Sequence, residues 1–126
     1  MQLIIHRGTQ EIGGSCVELF DKETRILLDF GLPLITADQK PFDSKVLVGK
    51  TVDELKASGV LPNIKGLYRD DVKAIDAILL SHSHMDHYGL LNYVHPEIPI
   101  YMSKGADILV KISSIFTPLS LCLLRT

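Results

Sequence analysis

The feature that most constrains this chain is a junction. Residues 74–80, Ala-Ile-Asp-Ala-Ile-Leu-Leu, form a nearly continuous apolar run, and Ser81-His82-Ser83-His84-Met85-Asp86-His87-Tyr88-Gly89 follows directly. The run reads as a buried strand ended by a polar turn. Three of the five histidines of the protein fall within six residues there, with a carboxylate beside the last. Side chains two apart on extended backbone point the same way, so His82 and His84 project together off the strand end. Such a pair is half of a tetrahedral zinc site. Asp86 and His87 come where the chain turns, and they offer an oxygen and a nitrogen to a second, neighbouring metal. Two divalent ions so placed can share a hydroxide and clamp a reacting ester. Nitrogen and oxygen donors suit zinc, and manganese remains compatible with them. A lone histidine at a strand end is usually a polar surface group. Four ligand-type side chains in six positions point instead to metal.

His82-Ser83-His84-Met85-Asp86-His87 matches the H-x-H-x-D-H signature of the metallo-β-lactamase fold, and the chain resembles the hydrolases of that family. Two other stretches, Gly8-Thr9-Gln10-Glu11-Ile12-Gly13-Gly14-Ser15 and Leu27-Leu28-Asp29-Phe30-Gly31, look most like the ribonuclease J and β-CASP branch. The resemblance implies an α/β (α+β) αββα sandwich, of which this chain supplies roughly the first half. Residues 1–118 would be the N-terminal part of that domain, and residues 119–126 a truncated apolar tail. It also implies a dinuclear zinc hydrolase acting on phosphodiesters in RNA, by attack of a metal-activated hydroxide on phosphorus. His82 and His84 would hold one metal and Asp86 and His87 the other, with Asp86 also a candidate for the catalytic group. Hydrolases of thioesters or lactones share the motif; only the two flanking stretches favour the nuclease branch. The resemblance further places Gly14 and Ser15 beside the metals, where they would approach substrate oxygens.

Around this centre the chain reads as strands first and helices later. Gln2 to His6 is a short strand, and His6, alone within it, reads as structural. The Gly13-Gly14 pair permits backbone conformations closed to other residues and by itself marks a turn. Residues 16–20 alternate apolar with polar, Asp21-Lys22-Glu23 turns, and residues 25–30 return apolar, a β-hairpin with one buried face. Asp29 interrupts the second strand, where a charge needs hydrogen-bond donors. It either caps a nearby turn or orients a ligating histidine through that ring's free N–H, and the resemblance favours the second. Residues 32–50 read as a loop broken by Pro33 and Pro41. Thr51 and Glu54 form a capping-box pattern for a short helix that stops at Gly59. Residues 62–71 read as a polar loop, with Tyr68 and Arg69 as solvated residues.

Beyond His87, residues 89–94 predict a helix ending before Pro96, its N-terminal dipole facing the site and His95 at its far end as a charge partner. Residues 99–102 predict a strand. Ser103 then caps a helix whose Ile108, Leu109, Ile112, Ile115 and Phe116 follow the spacing of one buried face, with Pro118 closing it.

Composition bounds the partners. The net charge of −2 gives no basic field for gripping a phosphate backbone. Cys16 and Cys122 lack a C-x-x-C spacing, so a reduced, cytoplasmic setting is expected. No apolar run is long enough to span a membrane or form a signal peptide. After His95 the sequence has no histidine, and its only acidic residues are Glu97 and Asp107. Two donors per metal leave each ion short of ligands. The expectation is therefore a metal-binding fragment without turnover by itself, whose uncovered apolar face invites self-association.

Overall fold

The computed structural model describes residues 1–116. A five-stranded sheet is its frame, built from β1 (Gln2–Arg7), β3 (Cys16–Asp21), β4 (Thr24–Leu28), β6 (Ala77–Leu79) and β7 (Ile100–Tyr101), adjacent in that order. β1, β3 and β4 run antiparallel, whereas β6 and β7 join parallel to β4. The expected hairpin is present: Asp21 pairs with Thr24 around a two-residue turn, with Lys22 at φ +55°. β2 (Ile12–Gly13) and β5 (Pro33–Ile35) form a separate two-stranded ribbon. The helices are α1 (Val52–Ala57), α2 (Met85–Tyr88) and α3 (Lys104–Phe116).

The register sorts the sheet's side chains onto two unlike faces. Glu18, Leu27 and Ile78 stand opposite one another on one face, each at most 3% exposed. Leu27 and Ile78 join a core with Leu55 of α1 and with Leu61, Ile64, Leu67, Tyr68 and Ile75. Residues 62–71 are thus not the polar loop expected from their composition. Their apolar side chains lack helix or strand periodicity, yet they bury against the sheet, and the Tyr68 hydroxyl donates to the Pro62 carbonyl. Burial also pushes the Tyr68 hydroxyl pKa upward. Residues 32–50 likewise hold β5 and a 3₁₀ turn over Ser44–Leu47, with Leu47 buried.

The opposite face is apolar and open. Leu3, Ile5, Leu79 and Tyr101 on it are 59%, 53%, 39% and 60% exposed, and Val17, Leu19, Ile26 and Leu28 between them are half-buried. α3 departs from expectation in the same way. Ser103 does cap it, its Oγ accepting from the Ala106 N–H, but Ile108, Leu109, Ile112, Ile115 and Phe116 face outward. The helix packs instead through Val110 and the half-buried Ala106, Asp107, Ser113 and Ser114, which share the same spacing one face round. Periodicity locates an apolar stripe; it does not say which layer covers it. Pro118 and residues 119–126 lie outside the described residues. Among those described, no helix is long and apolar enough to cross a membrane.

Two local expectations held. Thr51 and Glu54 exchange both hydrogen bonds of the capping box. His6 is structural: its Nε2 lies 2.7 Å from Glu18 Oε2, while Arg25 Nε donates to Glu18 Oε1 at 2.7 Å. Burial opposes the Glu18 charge, but these hydrogen bonds outweigh it and hold the carboxyl below its ordinary 4.5. Burial also drives the Cys16 thiol up to about 12, so it is inert rather than nucleophilic.

Two outcomes follow. A folded-state pKa below the unfolded one stabilises at pH above the unfolded value, and that contribution fades as pH falls through the lower folded value. Urea midpoints should therefore drop on acidification below about pH 4.5, and Glu18→Gln should flatten this limb while costing about 1–3 kcal/mol at pH 7. The open sheet face should bind an apolar fluorescent dye. Leu3→Lys with Ile5→Lys should reduce that signal and change stability by only about 0.5 kcal/mol per site, since both positions are exposed.

Candidate metal centre

The histidine turn is held by backbone before any side chain acts. β6 ends at Leu79, whose carbonyl accepts from the Asp29 N–H at 3.0 Å. The segment after β4 then docks along the turn: Phe30 N–H donates to the His87 carbonyl at 2.8 Å and Leu32 N–H to the Met85 carbonyl at 2.9 Å. From the third side, Gly14 N–H reaches the Asp86 carbonyl at 3.1 Å. Gly31 permits this approach, because a Cβ there would lie 1.6 Å from the Asp86 carbonyl oxygen. Asp29 turns the chain at φ +60°, a conformation that aspartate tolerates better than most residues.

The helix expected over residues 89–94 is absent. α2 occupies Met85–Tyr88 instead, with His84 as its N-cap, and a 3₁₀ turn follows over Leu91–Tyr93. Asp86 and His87 thus sit on the helical turn itself, and no helix dipole aims at them from beyond. His95 is not at the end of a helix dipole either; its Nδ1 accepts from the Glu97 N–H at 3.2 Å. Tyr88 points inward, buried, and its hydroxyl bonds Ser113 of α3.

Two pairs of donor atoms result. His82 Nε2 and His84 Nδ1 face each other at 3.0 Å. Two nitrogens on one tetrahedral zinc would stand about 3.3 Å apart, from Zn–N bonds near 2.0–2.1 Å. His87 Nε2 and Asp86 Oδ2 form the second pair at 3.4 Å. The His82 and His87 rings are 5.2 Å apart between centroids, so the pairs are neighbours. In donor type and spacing each pair fits a divalent cation; in number each falls short. Among the described residues no group of three His, Cys, Asp or Glu side chains converges as a metal site. A catalytic zinc takes three protein ligands.

Asp29 lies behind His87, only 6% exposed, with its Oδ2 at 2.9 Å from His87 Nδ1. The same carboxylate takes the Ser81 N–H at 2.8 Å and the Ser81 hydroxyl at 2.6 Å. Gly14 and Ser15 lie against the turn through backbone: the Gly14 amide is engaged by Asp86, and the Ser15 carbonyl accepts from Gly31 N–H at 3.1 Å. An open cleft of about 400 Å³ adjoins the turn, apolar along Leu34, Met85 and Tyr88 and polar at Ser83, His84, Asp86 and Ser113. The roles of Ser81 and Gly31 escaped sequence reasoning. A glycine two residues after the aspartate that follows the strand was the available signal for the second.

Comparison with known proteins agrees with this architecture. The Metallo-beta-lactamase superfamily profile matches residues 10–101. The chain is 32% identical over 91 residues to an RNase J-like protein of Methanocaldococcus jannaschii, covering 72% of this chain and 15% of that protein. It is 25% identical over 115 residues to a probable RNase of the same organism, covering 89% of this chain and 21% of the relative. The chain thus spans about a fifth or less of these relatives. A crystal structure of a protein of unknown function from Enterococcus faecalis superposes with a TM-score of 0.72 at 24% identity, over 96% of this chain and 30% of that one.

The tight approach at Gly31 is testable. Gly31→Ala should destabilise the chain by about 3 kcal/mol, at the upper end for inserted methyl groups, because backbone rather than a flexible side chain must yield. Urea unfolding followed by circular dichroism measures it; a midpoint like that of the parent chain would contradict the described docking.

Proposed function

Because the chain belongs to the metallo-beta-lactamase superfamily, whose profile covers residues 10–101, we propose that it carries the metal-binding turn of a metal-dependent hydrolase acting on phosphodiesters in RNA. The observation that carries this is the meeting of two donor pairs, His82 with His84 and Asp86 with His87, on one backbone-clamped turn. RNA as substrate is supported by the printed names of the two relatives, an RNase J-like protein and a probable RNase.

His82 and His84 would hold one cation, and Asp86 with His87 the other, zinc or manganese. A divalent cation held there supplies Lewis-acid polarisation of a reacting phosphoryl oxygen. Asp29 orients His87 through Nδ1, which leaves Nε2 for a cation. Phe30, Leu32 and Gly14 hold the turn's carbonyls, which keeps Asp86 and His87 in place when a ligand arrives.

The expected result of titrating the 126-residue chain with Zn²⁺ is binding that His84→Ala weakens about tenfold or more, the scale at which even supporting residues act. Cleavage of a labelled RNA in excess Zn²⁺ or Mn²⁺ should stay near the buffer rate, since neither pair reaches three ligands. Zn²⁺ affinity indifferent to His84→Ala would remove the centre. Robust cleavage abolished by that substitution would show that the two pairs suffice. Metal-dependent turnover of a thioester or lactone, with RNA untouched, would replace the phosphodiester as substrate.

A further inference from the structure

Resting on that metal-centre reading, we infer that Ser81 is a positioning residue: its hydroxyl locks Asp29 and thereby fixes which nitrogen of His87 faces the metal. The argument is a proton count. An Asp29 carboxylate only accepts hydrogen bonds. Its Oδ1 takes the Ser81 N–H at 2.8 Å and its Oδ2 the Ser81 hydroxyl at 2.6 Å, so one residue grips both oxygens. The second distance lies in the range of charge-assisted O–H···O⁻ bonds, which assigns the single hydroxyl proton to Asp29. Toward His87 Nδ1, 3.3 Å away, the Ser81 oxygen has only a lone pair left. Asp29 Oδ2, at 2.9 Å, presents lone pairs as well.

His87 Nδ1 therefore faces two acceptors and no donor. It must carry the ring proton, and in the neutral ring Nε2, 3.4 Å from Asp86 Oδ2, is left with its lone pair. Without the hydroxyl, Asp29 keeps the Ser81 N–H on one oxygen only. Its carboxylate can then rotate, and the ring can place its proton on Nε2 against Asp86 instead. Such a tautomer offers no lone pair to a cation on that side. Ser81 touches neither a substrate nor the metal in this scheme; it acts through Asp29 and His87.

Two readouts separate this from a merely structural role. In the metal-free chain at pH 8, ¹⁵N chemical shifts of the His87 ring should report the Nδ1–H form alone, Ser81→Ala should show both tautomers, and Ser81→Thr should restore the parent pattern. Zn²⁺ affinity should fall about tenfold or more in Ser81→Ala and return to within about threefold in Ser81→Thr, with unchanged circular dichroism in both. A Ser81→Ala chain that keeps the single tautomer and the parent affinity overturns the inference. So does Ser81→Thr behaving like Ser81→Ala. If the parent chain fails to bind Zn²⁺ while the tautomers still shift with Ser81→Ala, the metal-centre reading fails and the positioning role stands.

Discussion

Everything at the centre depends on backbone carbonyls of one short turn meeting backbone amides of another segment. The turn's carbonyls at Met85, Asp86 and His87 accept from the amides of Leu32, Gly14 and Phe30 respectively. Buried carbonyls left unpaired would each cost about 1–3 kcal/mol, so this docking both satisfies the turn and fixes its shape. It requires glycine on both sides of the contact. A Cβ at Gly31 would overlap the Asp86 carbonyl, and one at Gly89 would lie 2.6 Å from the Leu32 Cβ. The placement of Asp86 and His87 is thus set first by main chain, and side-chain rotamers refine it. The same logic explains why a buried Asp29 is tolerated: donors from Ser81 and His87 reach its two oxygens and offset its desolvation.

What was legible in the sequence divides along the same line. That His82, His84, Asp86 and His87 cluster in space was legible because residue spacing survives any uncertainty in backbone course. The hairpin and the capping box at Thr51 were legible because each rests on contacts within a few residues. The helix over residues 89–94 was misplaced because α2 begins at Met85, inside the ligand run, where the periodicity of a four-residue helix cannot register. Tyr68 looked solvated because its neighbours are polar, yet burial follows from three-dimensional cover and not from local composition. α3 shows the converse: a correct stripe of apolar residues, pointing away from the layer the helix packs on.

The two faces of the sheet carry opposite messages about polarity. The covered face holds the charges, Glu18 with His6 and Arg25, each satisfied in place. The open face along Leu3, Ile5, Leu79 and Tyr101 is uncharged. Sheets in folds of this kind bury apolar side chains on both sides, and among the described residues cover is present on one. The mixed α/β architecture of the superfamily is present here as a sheet, its outer cover and the histidine turn at the strand ends. The open face is therefore the part of the molecule that depends most on what else it meets.

Charge placement sharpens the division between chemistry and grip. Arg7 donates to the Val60 carbonyl and pairs with Glu11, and its burial lowers its pKa. Arg25 is engaged by Glu18 and by the Lys65 and Ala74 carbonyls, and Arg69 by the Asn92 carbonyl. Lys111 pairs with Asp107, Lys40 with Asp38, and Lys56 lies over the Tyr68 ring at 4.5 Å. Each described arginine thus has internal partners, and the cleft beside the turn is lined by no cation. A polyanion such as RNA is held by clustered, unengaged lysine and arginine. In the proposed phosphodiesterase this segment would bring donors for metal and the residues that orient them, while affinity for the phosphate backbone would come from surfaces other than these.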